Sequence, residues 1–145
     1  MDTDRFGSPD GSKASQAQQV PETMTEPIFE ITKAATFDAA HYIEQGASDH
    51  RYRRLHGHSF RVEASVRGPA QPAGWVVDLD RLDKALKSVA EELDHGLLND
   101  RSGLETPTLE RLCLYFVEKL RPGFPGLSRI VVSRPTINES CALSL

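Results

Sequence analysis

The chain holds five histidines, and two of them stand as His56-Gly57-His58. In an extended strand, residues i and i+2 point to the same face. Both imidazoles would therefore project together, on the face of Phe60 and Val62. A third, His41, closes the run Phe37-Asp38-Ala39-Ala40-His41 at the end of what reads as the preceding strand. If those two strands pair, His41 reaches the same point. Three neutral imidazoles with a free fourth position are the pattern of a catalytic zinc site. Imidazole also suits copper, iron or nickel. The bland alternative is a pair of histidines solvated or packed on a strand. Gly57 leaves the opposite face bare, open to close approach by a backbone or ligand.

Asp94-His95 is a second constellation, at the expected C-terminal end of a helix. A carboxylate beside an imidazole fixes its tautomer and raises its basicity, which makes a general acid or base. Sequence neighbours on a helix do not face each other, however. The alternative is a helix-end histidine interacting with the dipole. Asp78 reads as an N-cap, and Trp75 as a core or interface residue. A rival metal pattern is His56, His58 and Glu63 in the H-x-H-x4-E spacing of cupin barrels. The second histidine motif of that signature is missing.

The elements that must position these groups follow from periodicity. Residues 27–37 are rich in strand formers. Residues 43–55 are polar and loop-like. In 58–68, Phe60, Val62, Ala64 and Val66 alternate with Arg61, Glu63, Ser65 and Arg67, a half-buried strand. A turn at 68–74 follows. Leu79, Leu82, Leu86, Val89 and Leu93 keep helical spacing. Thr106-Pro107 reads as an N-cap with proline at the first helical position. The apolar face behind it is Leu109, Leu112, Cys113, Phe116, Val117 and Leu120, with Cys113 a core residue. Pro122, Gly123 and Pro125 stop that helix. Residues 127–133 form a strand and 140–145 a last short one. The order ββααββ predicts an α+β fold, a four-stranded antiparallel sheet with two helices on one face.

Composition bounds the rest. Of 145 residues, 39% are hydrophobic, a globular share. Residues 1–26 carry five acids, two bases and no apolar period. They read as a disordered polar tail ahead of a domain at 27–145. The net charge of −4 and pI near 5.7 argue against general nucleic-acid binding. No apolar run reaches the ~20 residues of a membrane span, and the start has no secretory signal. Two cysteines, Cys113 and Cys141, suit a reducing compartment. A cytoplasmic protein is expected.

Five motifs in one order carry a resemblance: F-x-A-A-H (37–41), R-L-H-G-H-S-F (54–60), G-W-V-V-D (74–78), L-D-H-x-L-L-N (93–99) and P-T-L-E (107–110). Together, over residues 28–134, they resemble the 6-pyruvoyl-tetrahydropterin synthase family, which includes the 6-carboxytetrahydropterin synthases of queuosine biosynthesis. The resemblance implies the tunnelling (T) fold, assembled as a homotrimer or homohexamer with active sites at subunit interfaces. It implies a Zn2+ held by His41, His56 and His58. It implies 7,8-dihydroneopterin triphosphate as substrate, with triphosphate eliminated by a lyase. Asp94 and His95 match the family's proton-transfer pair.

Two departures accompany it. The family's cysteine, four residues before the first histidine of H-G-H, is here Tyr52. A tyrosine near pKa 10 needs a metal or cation to ionise at neutral pH, against ~8.5 for a thiol. Arg51, Arg53 and Arg54 cluster beside it and can lower its pKa, hold the triphosphate or simply be solvated. The family's C-terminal Glu-Thr, which grips the pterin's amino-pyrimidine edge, is replaced by Arg134-Pro135. Glu139 lies five residues on and can take the role. A second hypothesis therefore stands beside the lyase: a non-catalytic or regulatory zinc- or pterin-binding relative, or a side-chain-cleaving enzyme that uses another base.

Overall fold

Residues with strand and helix periods fold into the elements those periods predict, with shifted ends. The computed structural model describes residues 25–46 and 50–145. Nearly all of the expected polar tail lies outside the described residues. Strand β1 spans Ile28–His41 and β2 His56–Pro69; helix α1 spans Leu79–Leu93 and α2 Leu109–Leu120; β3 spans Leu127–Arg134 and β4 Glu139–Ser144. The four strands form one sheet in the order β1-β2-β3-β4, every neighbour antiparallel. Helix α1 packs on β1, and α2 on β3 and β4. Among the described residues, no helix is long and apolar enough to cross a membrane.

The core lies between the sheet and the two helices. Phe37, Phe60, Val62, Ile130 and Val132 from the strands meet Leu82, Leu86, Leu93, Leu112, Phe116 and Leu120 from the helices, all buried. Each such side chain contributes ~1.5–3 kcal/mol by leaving water. Phe37 and Phe60 stack at 5.0 Å on facing strands. On α1 the expected stripe holds except at its first member, since Leu79 is exposed. Asp78 is the N-cap, its side chain accepting from the Asp80 amide at 2.9 Å. Trp75 is half exposed and does not enter the core. Cys113 is buried, its thiol pushed up to about 12 by burial and by neighbouring Cys141.

Three local expectations change. First, β1 runs four residues past 37 and β2 starts two before 58, because His41 and His56 themselves pair across the strands. Second, α2 is capped by Thr108, whose hydroxyl accepts from the Arg111 amide at 3.3 Å, not by Thr106. Pro107 stays outside the helix, and its carbonyl accepts from His41 Nδ1 instead. Third, the β2–β3 register slips between Ser65 and Val66. Ser65 turns out buried, its hydroxyl paired with Thr32 at 2.7 Å.

Candidate metal centre and proton-transfer pair

The register of the first two strands places the three imidazoles. His41 faces His56 directly, and His58 lies opposite Ala39. The alternation of β2 keeps His56 and His58 on one face with buried Phe60. One coordinating atom from each of His41, His56 and His58 lies within 4.8 Å of the others. The phenylalanine layer backs them, with the His41 ring edge-on to Phe60 at 5.9 Å. Asn99 pins the chain just after His41, accepting from the Tyr42 amide at 3.0 Å and donating to its carbonyl at 2.8 Å.

Hydrogen bonds settle the tautomers. His41 Nδ1 donates to the Pro107 carbonyl at 3.1 Å, and His56 Nδ1 to the Arg54 carbonyl at 2.6 Å. A carbonyl only accepts, so both Nδ1 atoms carry the proton and both Nε2 atoms present lone pairs. Those two Nε2 atoms are 3.1 Å apart. Two lone pairs at that distance repel unless a cation sits between them. His58 Nε2 is buried with no partner at all. Tetrahedral zinc with bonds of ~2.0–2.1 Å sets its ligand nitrogens roughly 3.4 Å apart. The donor set therefore fits a divalent metal with three protein ligands. Burial pushes the pKa of His41 down to about 4, further lowered by the neighbouring histidines and by Arg134. Burial and the Arg134 cation lower that of His58 as well. Neutral imidazoles are the metal-binding form.

A cleft of about 400 Å3 opens over His56 and His58, walled by Tyr52, Leu55 and Ile137 and rimmed by Arg51 and Arg54. Tyr52 lies on a single 3-10 turn, its ring stacked toward His56 at 6.3 Å between centroids. Its hydroxyl donates to Glu139 Oε1 at 3.4 Å. The three arginines diverge. Arg51 lies over the Tyr52 ring at 5.4 Å, Arg53 is spent on the Glu44 carbonyl, and Arg54 stays exposed at the cleft. Arg134 and Glu139 face each other across the β3–β4 turn, with Nε 3.0 Å from Oε2.

Asp94 and His95 are somewhere else. Helix α1 ends at Leu93; Asp94 is its extended C-cap and His95 takes the left-handed conformation at φ 57°. The objection that helix neighbours cannot meet is thereby removed, because neither residue is helical. Asp94 Oδ1 accepts from the Asp38 amide at 2.8 Å and Oδ2 meets His95 Nδ1 at 2.7 Å. The His95 amide donates to the Asp38 carbonyl at 2.6 Å. The Asp38 amide, then the His95 imidazole, hold the Asp94 carboxyl below its ordinary range. Asp94 in turn raises the pKa of His95. His95 borders a shallow depression of about 610 Å3 with Asp38, Gly57 and Ser59, the outward-facing residues of β1 and β2, while Asp94 lines a separate one with Lys87 and Glu91. The histidine triad uses the inward face of the same strands. The His95 side chain is 80% exposed.

Sequence reasoning named the candidate ligands and the pair but not their supports. The carbonyls of Arg54 and Pro107 and the amide of Asp38 belong to the main chain, and residue type does not announce them. Asn99 had a signal, as the last letter of L-D-H-x-L-L-N.

Comparison with known proteins is consistent with this geometry. The model of the 6-pyruvoyl tetrahydropterin synthase family matches residues 30–144. A dihydroneopterin monophosphate aldolase of Pyrococcus furiosus is 37% identical over 96 residues, covering 66% of this chain and 78% of that protein. A 6-carboxy-5,6,7,8-tetrahydropterin synthase of Synechocystis is 38% identical over 109 residues, covering 70% and 83%. The structure of Caenorhabditis elegans 6-pyruvoyl tetrahydropterin synthase superposes with a TM-score of 0.74 at 24% identity, covering 85% of this chain and 99% of that one. The architecture is the tunnelling fold.

Proposed function

Since the chain belongs to the 6-pyruvoyl tetrahydropterin synthase family, we propose that it is a zinc-dependent lyase acting on 7,8-dihydroneopterin triphosphate. It eliminates triphosphate to give a 6-substituted tetrahydropterin, as a 6-carboxytetrahydropterin synthase of queuosine biosynthesis does. The observation that carries this is the triad of His41, His56 and His58, with the tautomers of His41 and His56 fixed so that their lone pairs converge. Zinc held there supplies Lewis-acid polarisation of the substrate's side-chain oxygens. Tyr52, at the wall of the cleft, stands where a proton is taken or returned. Arg54 at the rim meets the anionic phosphate tail. Glu139 is the carboxylate available to the pterin edge, with Arg134 beside it. Asp94 and His95 form the proton-transfer pair. They face away from their own triad, so they serve the metal centre of another subunit in a homotrimer or homohexamer. The cytoplasm is the expected compartment.

A second reading is side-chain cleavage of the aldolase type. Tyr52 at the cysteine position favours it, as does the relative from Pyrococcus furiosus named an aldolase. One experiment separates the two. The zinc-loaded protein is incubated anaerobically with dihydroneopterin triphosphate, and separately with the monophosphate, and products are read by mass. A tetrahydropterin with released triphosphate marks the first reading, and a 6-hydroxymethyl dihydropterin the second. His56→Ala should abolish either. Both substrates unchanged would overturn both readings and leave a binding relative.

A further inference from the structure

The ladder between β1 and β2 ends with the pair His41–His56. On the other edge of β1 a different partner takes over, the chain that leaves α1. The Asp38 amide donates to Asp94 Oδ1 at 2.8 Å, and the His95 amide donates to the Asp38 carbonyl. Two residues on, the Ala40 amide donates to the Gly96 carbonyl at 2.9 Å. Two further on, Asn99 takes both main-chain groups of Tyr42, accepting from its amide at 3.0 Å and donating to its carbonyl at 2.8 Å. A side-chain carboxamide offers a donor and an acceptor side by side, as a peptide edge does. Asn99 therefore continues the pairing one step past the end of the strand. It stands on a 3-10 turn at Leu98–Asp100, and Leu98 is wholly buried.

Tyr42 is the junction of two parts of the site. Directly before it is His41, the wholly buried imidazole of the triad. Directly after it is Ile43, whose amide donates to the Tyr52 carbonyl at 2.8 Å. Tyr52 walls the cleft over His56 and His58. We propose that Asn99 is a positioning residue for the metal centre: by holding both main-chain groups of Tyr42 it fixes His41 on one side and Tyr52 on the other. The inference rests on the metal reading above but on no reaction. Without the carboxamide, the nearest hydrogen bond back along that edge of β1 is at Ala40. The His41 ring keeps its bond to the Pro107 carbonyl, but the main chain that carries it is held on one side only.

The test needs no pterin. The protein is titrated with Co2+, whose visible spectrum reports the geometry of its ligands. Asn99→Ala should weaken Co2+ binding about tenfold, the lower end of what losing an outer support costs a metal site, and alter the spectrum. Asn99→Asp keeps the size of the side chain and the acceptor for the Tyr42 amide. Its second oxygen, however, faces the Tyr42 carbonyl, and two acceptors repel. It should bind Co2+ at least as weakly as Asn99→Ala, whereas a side chain that only fills space would leave it near native. Val89→Ala, a buried α1 position away from the triad, should lose stability to urea yet keep native Co2+ affinity and spectrum. Native affinity in Asn99→Ala would overturn the proposal, as would Val89→Ala weakened to the same degree. The native chain supplies a measurement that needs no variant to fold. Because coupling is reciprocal, Zn2+ should slow exchange of the Tyr42 amide about tenfold more than that of amides in the middle of β2. No such difference would also overturn the proposal. A native chain that takes up no Co2+ would defeat the metal reading and this inference with it. Native uptake with an unaffected Asn99→Ala defeats this inference alone.

Discussion

The histidine triad stands on β1 and β2, the Asp94–His95 pair is held against β1 just past the end of α1, and the two are built by opposite means. The triad is inward, His41 wholly buried, and the tautomers of His41 and His56 are fixed by main-chain carbonyls. The pair is outward and exposed, held by the strained left-handed turn at His95 and by the backbone of Asp38. A metal centre needs enclosure to keep its ligands neutral and fixed. A proton-transfer pair that works on another subunit's substrate must instead be presented. On the proposed reading, the first is complete within one chain and the second is completed by another subunit.

The largest effect should come from breaking the pair. His95→Ala is expected to lower kcat by ~10^2–10^4 while bound zinc, measured after dialysis, stays at the native level. His56→Ala should lose zinc and activity together. If the two regions meet only between subunits, refolding His56→Ala with His95→Ala in equal amounts should restore activity, to about a quarter of the native sites for random pairing. No recovery on mixing would sink the shared-site reading.

Acid should separate the two regions next. Folded His41 resists protonation down to about 4, against an ordinary value of 6.5. As pH falls through 6.5 the unfolded chain takes a proton that the fold does not. Stability of the metal-free protein should therefore decline between pH 6.5 and 4, by on the order of 3 kcal/mol. Urea midpoints across that range measure it. His95 is shifted the other way, so its contribution is present below 6.5 and fades above it. His41→Gln should flatten the acid decline, and His95→Ala should not.

The smallest effect should come at Gly57, which lies in the strand between the two regions. A Cβ there would meet the Ala39 carbonyl at 3.2 Å, an atom that the sheet holds in place. Gly57→Ala should cost about 1 kcal/mol and weaken metal binding and proton transfer together. A loss in only one of them would show that the strands transmit less than their pairing suggests.

Much of this was legible in residue order. The alternation in β2 placed His56 and His58 together, and the 3.6-residue stripe gave Leu82, Leu86, Val89 and Leu93 their buried face. Thr106 misled because a threonine before proline carries the ordinary signs of a helix start. The Pro107 carbonyl is instead engaged by a long-range bond from His41, which no local pattern contains. The Asp94–His95 contact was undervalued for a similar reason. Its geometry depends on α1 ending at Leu93 and on a left-handed turn that a histidine seldom announces. The Arg134–Glu139 pairing required the β3–β4 register, which depends on where the chain turns rather than on which residues it contains.

The two carbonyls that orient His41 and His56 have one more consequence. They come from Pro107 and Arg54, yet belong to neither side chain. An alanine scan would leave both acceptors in place and pass over the outer layer of the centre in silence. Only chemistry on the backbone itself, such as exchange of an amide for an ester to weaken the carbonyl, would reveal it. Whatever else the two side chains do, the aim of the imidazoles depends on the path of the main chain at these positions and not on the residues that occupy them.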